Sequence, residues 1–437
     1  MQRLLYQNLI KWKNNPKRKP LLLQGARQVG KTYLVKDFAK REYENFFYLN
    51  FEEEPTFKNL FSNSLKAEYL LENISLYFGK KIDCENSLIF FDEVQAVPEA
   101  ITSLKYFYEQ LPGCNIIAAG SLLGVSVGRH KSFPVGKVSF LRLYPMSFIE
   151  YLLAVGEELI AEKLMDKSDL ESLNELIHEK LLSHLKKYLF LGGMPEVLQT
   201  YLDTKDIALA REIQKEILQS YQRDFSKYSG KRDAIRISEV WRSIPYQLAK
   251  ENKKFKYKEI RQTARASMYE GSIEWLRNAG LINVAYNIKA PKLPLSGYAD
   301  AAKFKVYMLD NGLLGAMLNV SSDVIVKPDK LFQEYNGVFV ENYVASELIM
   351  KGYELYYWKS KSDAEVDFII QYKNKIYPLE VKSGNSRNIK SLRSYADKYN
   401  PELLIRTSPR NYIRDNEFIN VPLYGIEGFE KILEASD

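Results

Sequence analysis

The residues with the plainest chemistry form a glycine-lined loop near the N-terminus. Residues 25–32 read Gly-Ala-Arg-Gln-Val-Gly-Lys-Thr and follow the apolar run Leu21–Leu23. The spacing fits G-x-x-x-x-G-K-[ST], the Walker A pattern, in which loop N–H groups surround phosphate oxygens at the start of a helix. Lys31 is predicted to reach the β- and γ-phosphates of a nucleotide, and the Thr32 hydroxyl to hold Mg²⁺. A chance glycine-rich turn is the alternative.

A pair of carboxylates follows a strand-like run further along. Residues 87–95 read Ser-Leu-Ile-Phe-Phe-Asp-Glu-Val-Gln. Four consecutive apolar residues are typical of a strand that is buried on both faces, as parallel sheets require. We predict that Asp92 holds Mg²⁺ through water and that Glu93 polarises the attacking water. The alternative is two exposed carboxylates that cap a helix starting at Pro98.

A third apolar stretch, Cys114–Ser121, ends in a hydroxyl group. In a sheet of this class its strand lies between the other two, which places Ser121 near the γ-phosphate or the attacking water. A Gly-Ser turn without such a contact is the alternative. The full set of predicted nucleotide contacts is Gly25, Ala26, Arg27, Gln28, Val29, Gly30, Lys31, Thr32, Tyr33 and Ser121.

A second set of charged residues lies near the C-terminus. Glu365–Tyr372 and Ile376–Lys382 are predicted strands joined by a tight turn, so Glu380 and Lys382 share a face and Asp367 comes beside them. Two carboxylates on one patch repel each other, and a divalent cation relieves that repulsion. Lys382 then acts on a metal-bound water or on charge that builds on a phosphate. A structural salt bridge in a domain that only binds is the alternative.

Composition bounds the protein more loosely. The chain has 437 residues, enough for two or three domains, and a net charge of +7 that by itself decides nothing about nucleic acid. Cys84 and Cys114 follow no metal or redox pattern, which predicts a reducing cytoplasm and no disulfide. The three histidines are too scattered for a zinc site. No apolar run approaches a membrane span, and the N-terminus lacks the apolar core of a signal peptide.

The elements between the two charged sites are predicted to be mainly helical. Ser168–Gln219 is rich in Leu, Glu and Lys at helical period, which predicts a helical lid, and Tyr221–Arg232 predicts a linker. Beyond it, three helices and a hairpin have the layout of a winged helix. These five elements are expected at Ser238–Lys250, Tyr257–Ala264, Ser267–Asn278, Leu281–Ala290 and Lys303–Asp310.

A basic stretch joins the first two of these helices. Residues 253–258 read Lys-Lys-Phe-Lys-Tyr-Lys, and Arg261 and Arg265 continue the positive charge. Basic residues interleaved with aromatic ones suit the phosphate backbone of a nucleic acid, which makes DNA the predicted partner. A solvated helix face is the alternative.

Four short motifs accompany the phosphate loop: Asp92–Gln95, Gly120-Ser121, Leu143–Phe148 and Leu191–Glu196. In this combination the chain resembles the AAA-type P-loop ATPases of bacteria and archaea that carry a C-terminal domain of unknown function. The resemblance covers nearly the whole chain and implies ATP and Mg²⁺ as cofactors. The Pro-Met-Ser-Phe and Gly-Gly-Met-Pro runs within the last two motifs are marks of the family without an assigned chemistry.

One position departs from the family pattern. A Gly-Arg pair usually precedes the Pro-Met-Ser-Phe run, whereas this chain has Gly136-Lys137. Lysine lacks the planar, bidentate fork of an arginine finger, so a finger acting from a second subunit is not expected at this position. Arg129 and Arg142 are the remaining candidates. A homo-oligomer is expected if a second subunit supplies the arginine.

The C-terminal pattern combines Glu341 on a predicted helix, Asp367 on a strand and Glu380-x-Lys382 on the neighbouring strand. This arrangement resembles the core of PD-(D/E)xK nucleases, with a spacing like that of archaeal Holliday-junction resolvases. The resemblance implies metal-dependent cleavage of phosphodiesters. In it Asp367 and Glu380 are ligands of Mg²⁺ or Mn²⁺, Glu341 assists, and Lys382 is catalytic.

These patterns together predict an α/β protein of four parts. The parts are a P-loop ATPase core (1–155), a helical lid (156–229), a winged-helix-like region (230–325) and a PD-(D/E)xK nuclease-like α/β domain (326–437). We predict a cytoplasmic ATP-binding and ATP-hydrolysing protein that acts on DNA, with a second, metal-dependent nuclease site and no membrane association. The alternative is a non-catalytic, ATP-gated switch whose C-terminal domain only binds DNA or a protein partner.

Overall fold

The computed structural model describes residues 1–121, 133–250, 253–321, 331–360, 364–385 and 388–436. They form two compact units. The first contains Gln2–Tyr144 and Asn278–Gly280, and the second contains Met1, Pro145–Arg277 and Leu281–Asp437. The predicted division into four parts is finer than this one and is not tested by it.

A five-stranded sheet organises the first unit. Its spatial order is β2-β3-β4-β1-β5, and every neighbouring pair is parallel. This arrangement confirms the predicted P-loop NTPase sheet, with β4 between β3 and β1. The strands are β1 (Leu21–Gln24), β2 (Asn45–Asn50), β3 (Ser87–Asp92), β4 (Asn115–Gly120) and β5 (Ser139–Arg142).

Helices cover this sheet and bury its apolar residues. All six residues of β3 are buried, as the run of apolar side chains predicted. A cluster of aromatic rings, with Phe91 at its centre and Phe51 and Phe61 against it, fills one face. The helices of this unit are Tyr6–Lys13, Lys31–Glu42, Ala67–Phe78 and Pro98–Gln110.

The two cysteines correct one expectation. Cys84 and Cys114 form a disulfide, with their Cα atoms 4.2 Å apart. Each lies just before a strand, and these strands, β3 and β4, are parallel neighbours, so the two residues meet at the same edge of the sheet. Their separation of 30 residues gives no local signal of this pairing. Cysteine usage therefore no longer argues for a cytoplasmic location.

The second unit begins with a helical region. The predicted linker Tyr221–Arg232 is wrong, because most of it lies inside the helices Ile207–Tyr228 and Lys231–Leu248. Tyr221 and Phe225 are one turn apart and buried, and Arg223 between them is exposed. The helices before the second sheet are Phe148–Ala154, Glu158–Asp166, Glu175–Leu191, Pro195–Thr204, Ile207–Tyr228, Lys231–Leu248 and Ala266–Asn278.

An eight-stranded mixed sheet forms the rest of this unit. Its order is β12-β13-β11-β10-β9-β8-β6-β7. The strands are β6 (Ile282–Ile288), β7 (Ala299–Met308), β8 (Leu355–Lys359), β9 (Glu365–Tyr372), β10 (Lys375–Val381), β11 (Leu404–Ser408), β12 (Ile413–Asp415) and β13 (Phe418–Pro422). The accompanying helices are Asn311–Met317, Leu331–Met350, Lys390–Tyr399 and Phe429–Ser436.

The hairpin predicted for a winged helix belongs to this same sheet. Strands β6 and β7 pair antiparallel, and β6 also pairs in parallel with β8. The hairpin is therefore continuous with strands that were predicted to form a separate nuclease-like domain. The element expected at Tyr257–Ala264 is a short 3₁₀ turn, Tyr257–Glu259, instead of a helix.

Candidate nucleotide site and a second charged cluster

The phosphate loop has the backbone that its sequence predicts. Gly25 has φ +152°, and an added Cβ there would collide with the carbonyl oxygen of Leu143. Gly30 has φ +93° and stands directly before the helix Lys31–Glu42. Both conformations favour glycine, which explains the two fixed glycines of the motif. The loop connects the carboxyl end of β1 to the positive end of a helix dipole, where an anion is stabilised.

Lys31 is held inside this loop. Its side chain is 6% exposed, and Nζ donates to the carbonyl oxygens of Gly25 at 2.9 Å and Ala26 at 2.8 Å. Burial lowers the pKa of Lys31 to about 8, although the nearby carboxylates of Glu93 and Asp92 oppose this shift. The positive charge of the Lys31 ammonium is thus only partly compensated by negative charge, because its hydrogen-bond partners are neutral carbonyl groups.

The Thr32 hydroxyl and Asp92 meet at the mouth of the loop. Thr32 Oγ1 donates to Asp92 Oδ2 at 2.7 Å, and the Tyr48 hydroxyl donates to the same oxygen at 3.2 Å. Asp92 is 1% exposed, and burial raises the pKa of its carboxyl group, against the hydrogen bond from Thr32. The structure therefore brings together the hydroxyl and the carboxylate that the sequence assigned to one metal ion.

Glu93 adopts an uncommon backbone conformation. Its φ is +53°, in the left-handed region that non-glycine residues rarely enter. Gln95 Nε2 donates to Glu93 Oε2 at 2.5 Å, while Gln95 Oε1 is buried without a hydrogen-bond partner among the described residues. Such strain persists where the surroundings hold a side chain in a set direction, which is common at functional sites.

The other predicted contacts are distributed around the loop. Ser121 is 6% exposed and directly follows β4. Arg27 forms an ion pair with Glu52 at 3.5 Å, and Tyr33 is 60% exposed. Arg142 ends β5 opposite Gln24 of β1, at the same edge of the sheet. Arg129 lies outside the described residues.

Arg3 supports the loop, and sequence reasoning missed it. Its guanidinium donates to the carbonyl oxygens of Val29 at 2.7 Å and Tyr144 at 2.6 Å. Arg3 therefore links the loop backbone to the segment after β5. The chain around Arg3 offers no signal of this role, because both acceptors are backbone atoms remote in sequence.

The two motifs without assigned chemistry contact each other inside the second unit. Met146 N donates to Gly193 O at 2.6 Å, and an added Cβ at Gly193 would collide with the Met146 backbone. Ser147 and Glu150 form a capping box at the start of the helix Phe148–Ala154. The Pro-Met-Ser-Phe and Gly-Gly-Met-Pro runs thus have a structural explanation.

The second set of charged residues lies around strands β9 and β10. The antiparallel register ends with the pair Phe368 and Leu379, and Asp367 and Glu380 are the residues next to this pair on the two strands. Asp367 Oδ2 accepts from Val381 N at 2.8 Å, and Lys382 Nζ lies 2.7 Å from Glu380 Oε1. The predicted neighbourhood of the four residues is therefore present, with Glu341 approaching from the helix Leu331–Met350.

Lys305 of β7 occupies the middle of this group. Its side chain is 1% exposed, and Nζ lies 3.2 Å from Glu341 Oε1, 2.7 Å from Glu365 Oε1 and 3.9 Å from Asp367 Oδ1. Burial lowers the pKa of Lys305, but the carboxylates, Glu341 first, outweigh burial and raise that pKa above its ordinary value. Sequence reasoning did not include this residue.

Glu341 has further partners. The Tyr307 hydroxyl donates to Oε1 at 2.6 Å, and Lys253 forms an ion pair with Oε2. Burial would raise the pKa of Glu341, yet the charges of Lys253 and Lys305 lower it to about 2. Asp367 shows the opposite behaviour, since burial and the charge of Glu341 raise its pKa to about 7.

These contacts do not fit the divalent cation that the nuclease resemblance implies. Both oxygens of Glu341 are engaged by lysines and a tyrosine, and an ammonium group stands between Glu341 and Asp367. Glu380 Oε2 is the exception, since it is buried without a hydrogen-bond partner among the described residues. Within the described ranges, no group of three or more His, Cys, Asp or Glu side chains is arranged to hold a metal.

The predicted basic stretch is partly exposed. Among the described residues, Lys256, Lys258 and Arg265 are exposed and form no ion pair. The following helix, Ala266–Asn278, carries Glu270 and Glu274 on its exposed side. The exposed lysines therefore lie on the segment before this helix, whose outer face carries Glu270 and Glu274, with Arg277 paired to Glu274.

Comparison with known proteins assigns the first region. Residues 17–152 match a family model described as an AAA domain. Residues 182–324 and 336–424 match two models described as domains of unknown function, DUF8612 and DUF4143. The matches support an AAA-type ATPase region and leave the chemistry of the remainder unassigned.

Two curated relatives are uncharacterised. A protein of Methanocaldococcus jannaschii is 26% identical over 210 residues, which cover 45% of this chain and 42% of that protein. A protein of Mycobacterium tuberculosis is 29% identical over 92 residues, which cover 21% of this chain and 20% of that protein. The chain thus spans less than half the length of either relative.

Solved structures give a more distant likeness. A Walker-type ATPase of Pyrococcus abyssi is 16% identical, with 72% of this chain and 94% of that chain covered and a TM-score of 0.44. The Orc1 protein of Aeropyrum pernix in complex with DNA is 12% identical, with 72% and 90% covered and a TM-score of 0.31. These scores are too low to establish a common fold over the whole chain.

None of the described helices is long and apolar enough to cross a membrane. Taken with the family match, the strand order and the phosphate loop show that residues 17–152 are similar to the AAA domains of P-loop ATPases.

Proposed function

We propose that the first unit binds ATP with Mg²⁺ and hydrolyses it. The observation that carries this proposal is the 2.7 Å contact between Thr32 Oγ1 and Asp92 Oδ2, one residue after the buried ammonium of Lys31. In P-loop enzymes this hydroxyl and this carboxylate hold the metal ion of the nucleotide. Bound Mg²⁺ supplies neutralisation of charge on the phosphate oxygens. Thr32 and Asp92 are the residues that would hold it.

Lys31 binds the nucleotide by exchanging partners. Its ammonium donates to two loop carbonyls, which are neutral acceptors. Phosphate oxygens are charged acceptors, and hydrogen bonds to them are roughly twice as strong as neutral ones. The lysine therefore leaves the carbonyls for the β- and γ-phosphates at a net gain.

Glu93 is the general base of the proposed hydrolysis. A carboxylate in this position orients and polarises a water molecule for attack on the γ-phosphorus. Gln95 fixes the direction of the Glu93 carboxylate through its Nε2 donor. Its Oε1, which has no hydrogen-bond partner among the described residues, offers an acceptor to the same water. Gln95 is accordingly a positioning residue, and Ser121 is the candidate for contact with the γ-phosphate.

Arg142 is a described arginine at this edge of the sheet, and the other candidate that the sequence offered, Arg129, lies outside the described residues. It ends β5 opposite Gln24, the residue before the phosphate loop. An arginine beside the γ-phosphate stabilises the charge of the transition state. We propose this role for Arg142, either within its own chain or across an interface in a homo-oligomer. A specific activity that rises with protein concentration would support the second case.

Nucleotide binding by the Lys31→Ala variant tests the assignment. ATP affinity should fall at least about a hundredfold, because a lost charge-assisted contact of this kind costs several kcal/mol. Lys40→Ala, an exposed position on the same helix, is the matched control. Retained affinity or turnover in Lys31→Ala, with Lys40→Ala indistinguishable from it, would remove the phosphate-loop assignment.

A second candidate function, binding of DNA, rests on the exposed lysines of the basic stretch. Lys256 and Lys258 are exposed and form no ion pair with a described residue, so phosphates can pair with them. Glu270 and Glu274 on the next helix repel phosphates, which argues against reading of bases by that helix. The proposed contact is therefore with the backbone and is independent of sequence.

The salt dependence of DNA affinity tests this candidate. Replacing Lys256 and Lys258 by Gln should weaken binding and reduce the slope of log affinity against log salt by about 2, one unit per phosphate contact. Lys80 and Lys81 are an exposed pair for the same double substitution as a control. An affinity that does not respond to salt would contradict the candidate.

The geometry favours the non-catalytic alternative for the C-terminal site. A nuclease there would use Asp367 and Glu380 as metal ligands, with Lys382 acting on the phosphate. Glu341, however, is engaged by two lysines and a tyrosine. We therefore expect no nicking of branched, single-stranded or duplex DNA with Mg²⁺ or Mn²⁺. Cleavage that disappears in Asp367→Ala would restore the nuclease proposal.

A further inference from the structure

The charged residues around Lys305 form a group that we call the lysine–carboxylate cluster. Ion pairs connect six of its described members into one network, and Glu380 and Lys382 form a separate ion pair. The members lie on the helix Leu331–Met350, on or next to four strands of the second sheet, and in the segment before the 3₁₀ turn. The carboxylates are Glu341, Glu365, Asp367 and Glu380, and the lysines are Lys253, Lys305, Lys359 and Lys382.

We infer that the ammonium group of Lys305 takes the place of a divalent cation between Glu341, Glu365 and Asp367. The lysine enters from β7, on the hairpin side of the sheet, and reaches carboxylates of two other elements. Its Nζ lies 2.7 Å from Glu365 Oε1 and 3.2 Å from Glu341 Oε1. The Lys305 side chain is only 1% exposed, so its ammonium group is not in contact with bulk solvent.

Steric exclusion is the first argument. Magnesium demands oxygen ligands at about 2.0–2.1 Å in a nearly octahedral arrangement. An ion placed between the three carboxylates, at that distance from Glu365 Oε1, would lie against the ammonium, which is itself 2.7 Å from the same oxygen. Two cations in contact repel strongly in a buried setting, where the effective dielectric constant is low.

The occupation of the carboxylate oxygens is the second argument. Glu341 Oε1 accepts from Lys305 and Tyr307, and Glu341 Oε2 pairs with Lys253. Glu365 Oε2 pairs with Lys359 at 3.0 Å, and Asp367 Oδ2 accepts from Val381 N. Only Glu380 Oε2 in this cluster lacks a partner among the described residues, and one oxygen does not hold an ion.

Charge balance is the third argument. The cluster has four carboxylates and four lysines among the described residues, so its formal charge is zero. Carboxylates attract a divalent cation because they repel one another, and lysines already relieve that repulsion here. A metal ion would add two charges to a balanced, largely buried group, at a large cost in desolvation.

The inference assigns Lys305 a structural and electrostatic role. Through it the hairpin β6–β7 is tied to β9 and to the helix that carries Glu341. The cluster then holds these elements together without a metal, and Lys382 has Glu380 as its partner. This conclusion concerns the second unit and does not depend on the proposed ATPase.

Titration with Mn²⁺ followed by electron paramagnetic resonance, on the full chain without nucleotide, tests the inference. Wild type should show no Mn²⁺ site that depends on Asp367, so wild type and Asp367→Asn should give the same curve. Lys305→Met should acquire a site that binds Mn²⁺ at least about tenfold more tightly than the residual Mn²⁺ binding of wild type, because Glu341, Glu365 and Asp367 then lack their central cation. Lys303→Met, an exposed lysine of the same strand, is the matched control and should resemble wild type.

Each result decides the question. A wild-type site that is lost in Asp367→Asn would overturn the inference. So would a Lys305→Met protein that gains no site abolished by a further Asp367→Asn change, since the ammonium would then not stand where a metal binds. If Lys305→Met does not fold, the paired variant Lys305→Met with Glu341→Gln keeps Glu365 and Asp367 for the ion and removes one unbalanced charge. The same two outcomes apply to it.

Discussion

The two charged sites of this protein use the same residue types in opposite ways. In the phosphate loop, Lys31 donates to neutral carbonyls, and Asp92 accepts from hydroxyl groups. In the lysine–carboxylate cluster, Lys305 donates to carboxylates. The first site therefore contains charges with exchangeable, uncharged partners. The second contains charges that already neutralise each other.

The difference shows in the direction of the pKa shifts. The pKa of Lys31 is lowered to about 8, because burial outweighs its carboxylate neighbours. The pKa of Lys305 is raised, because its carboxylates outweigh burial. A site that binds a charged ligand contains a charge that lacks a counter-charge until the ligand binds. A site whose charges are already compensated gains little from a charged ligand. We therefore assign nucleotide binding and hydrolysis to the first site, and a structural role to the second.

The largest expected effect separates the two glutamates. Glu93→Gln should slow ATP hydrolysis by roughly 10²–10⁴, because a general base is lost, while ATP affinity stays near wild type. Glu341→Gln should leave hydrolysis within about threefold of wild type. Steady-state turnover and equilibrium ATP binding measure both. If Glu93→Gln retained full turnover, the catalytic role of this residue would be wrong.

The second effect is the change in the free energy of unfolding when each of the two buried lysines is replaced. Lys305→Met should destabilise the protein by about 3–5 kcal/mol, because it leaves buried carboxylates unpaired. Lys31→Met should change stability by no more than about 1 kcal/mol without nucleotide, since it removes a charge that burial disfavours. Denaturant unfolding of both variants is the measurement, with Lys303→Met as the exposed control. Equal losses in Lys31→Met and Lys305→Met would erase the contrast between the sites.

The third effect is a pH dependence of ATP binding. The folded-state pKa of Lys31 is about 8, so its ammonium is present below this pH and is lost as the pH rises through it. ATP affinity should therefore fall above pH 8 by up to about tenfold per unit. Lys31→Arg, which keeps its charge over this range, should show no such fall. Calorimetric titrations between pH 7 and pH 9.5 would reveal a flat wild-type profile if the idea is incorrect.

The smallest effect compares two tyrosines. Tyr48→Phe removes one hydrogen bond to Asp92 and should lower the rate of hydrolysis about two- to tenfold, the equivalent of roughly 0.5–1.5 kcal/mol. Tyr307→Phe removes one hydrogen bond to Glu341 and should leave that rate unchanged while lowering stability by a similar free energy. A change of rate in Tyr307→Phe alone would reverse the assignment of roles.

The sequence predicts the nucleotide site well because its parts are local. A strand, a glycine-lined turn and a helix follow one another within the first 42 residues, so the motif carries its own context. Asp92 and Glu93 are equally visible, because an apolar run immediately precedes them. Gln95 lies in the same motif, but its role depends on a side-chain contact that spacing does not reveal.

The second site shows where sequence reasoning ends. Lys303, Lys305 and Tyr307 alternate along β7 and share one face, so they are equivalent in pattern. In the structure Lys303 is 51% exposed, whereas Lys305 is 1% exposed. The distinction arises because β6 and β7 join the sheet beside β8. This long-range strand pairing cannot be predicted from the residue types at positions 303 and 305. The same reason hides Arg3 and the pairing of Cys84 with Cys114.

The shared sheet also decides how this protein is to be divided for study. Strand β8 has β9 on one side and β6 on the other. A fragment beginning at residue 326 would lose β6, and the backbone N–H and C=O groups of β8 on that side would be left without partners. Unpaired edges of this kind recruit other chains, so such a fragment should aggregate. A fragment that begins at Pro145 keeps this edge covered and retains the helices that pack on Trp241, so it is the better choice for expression.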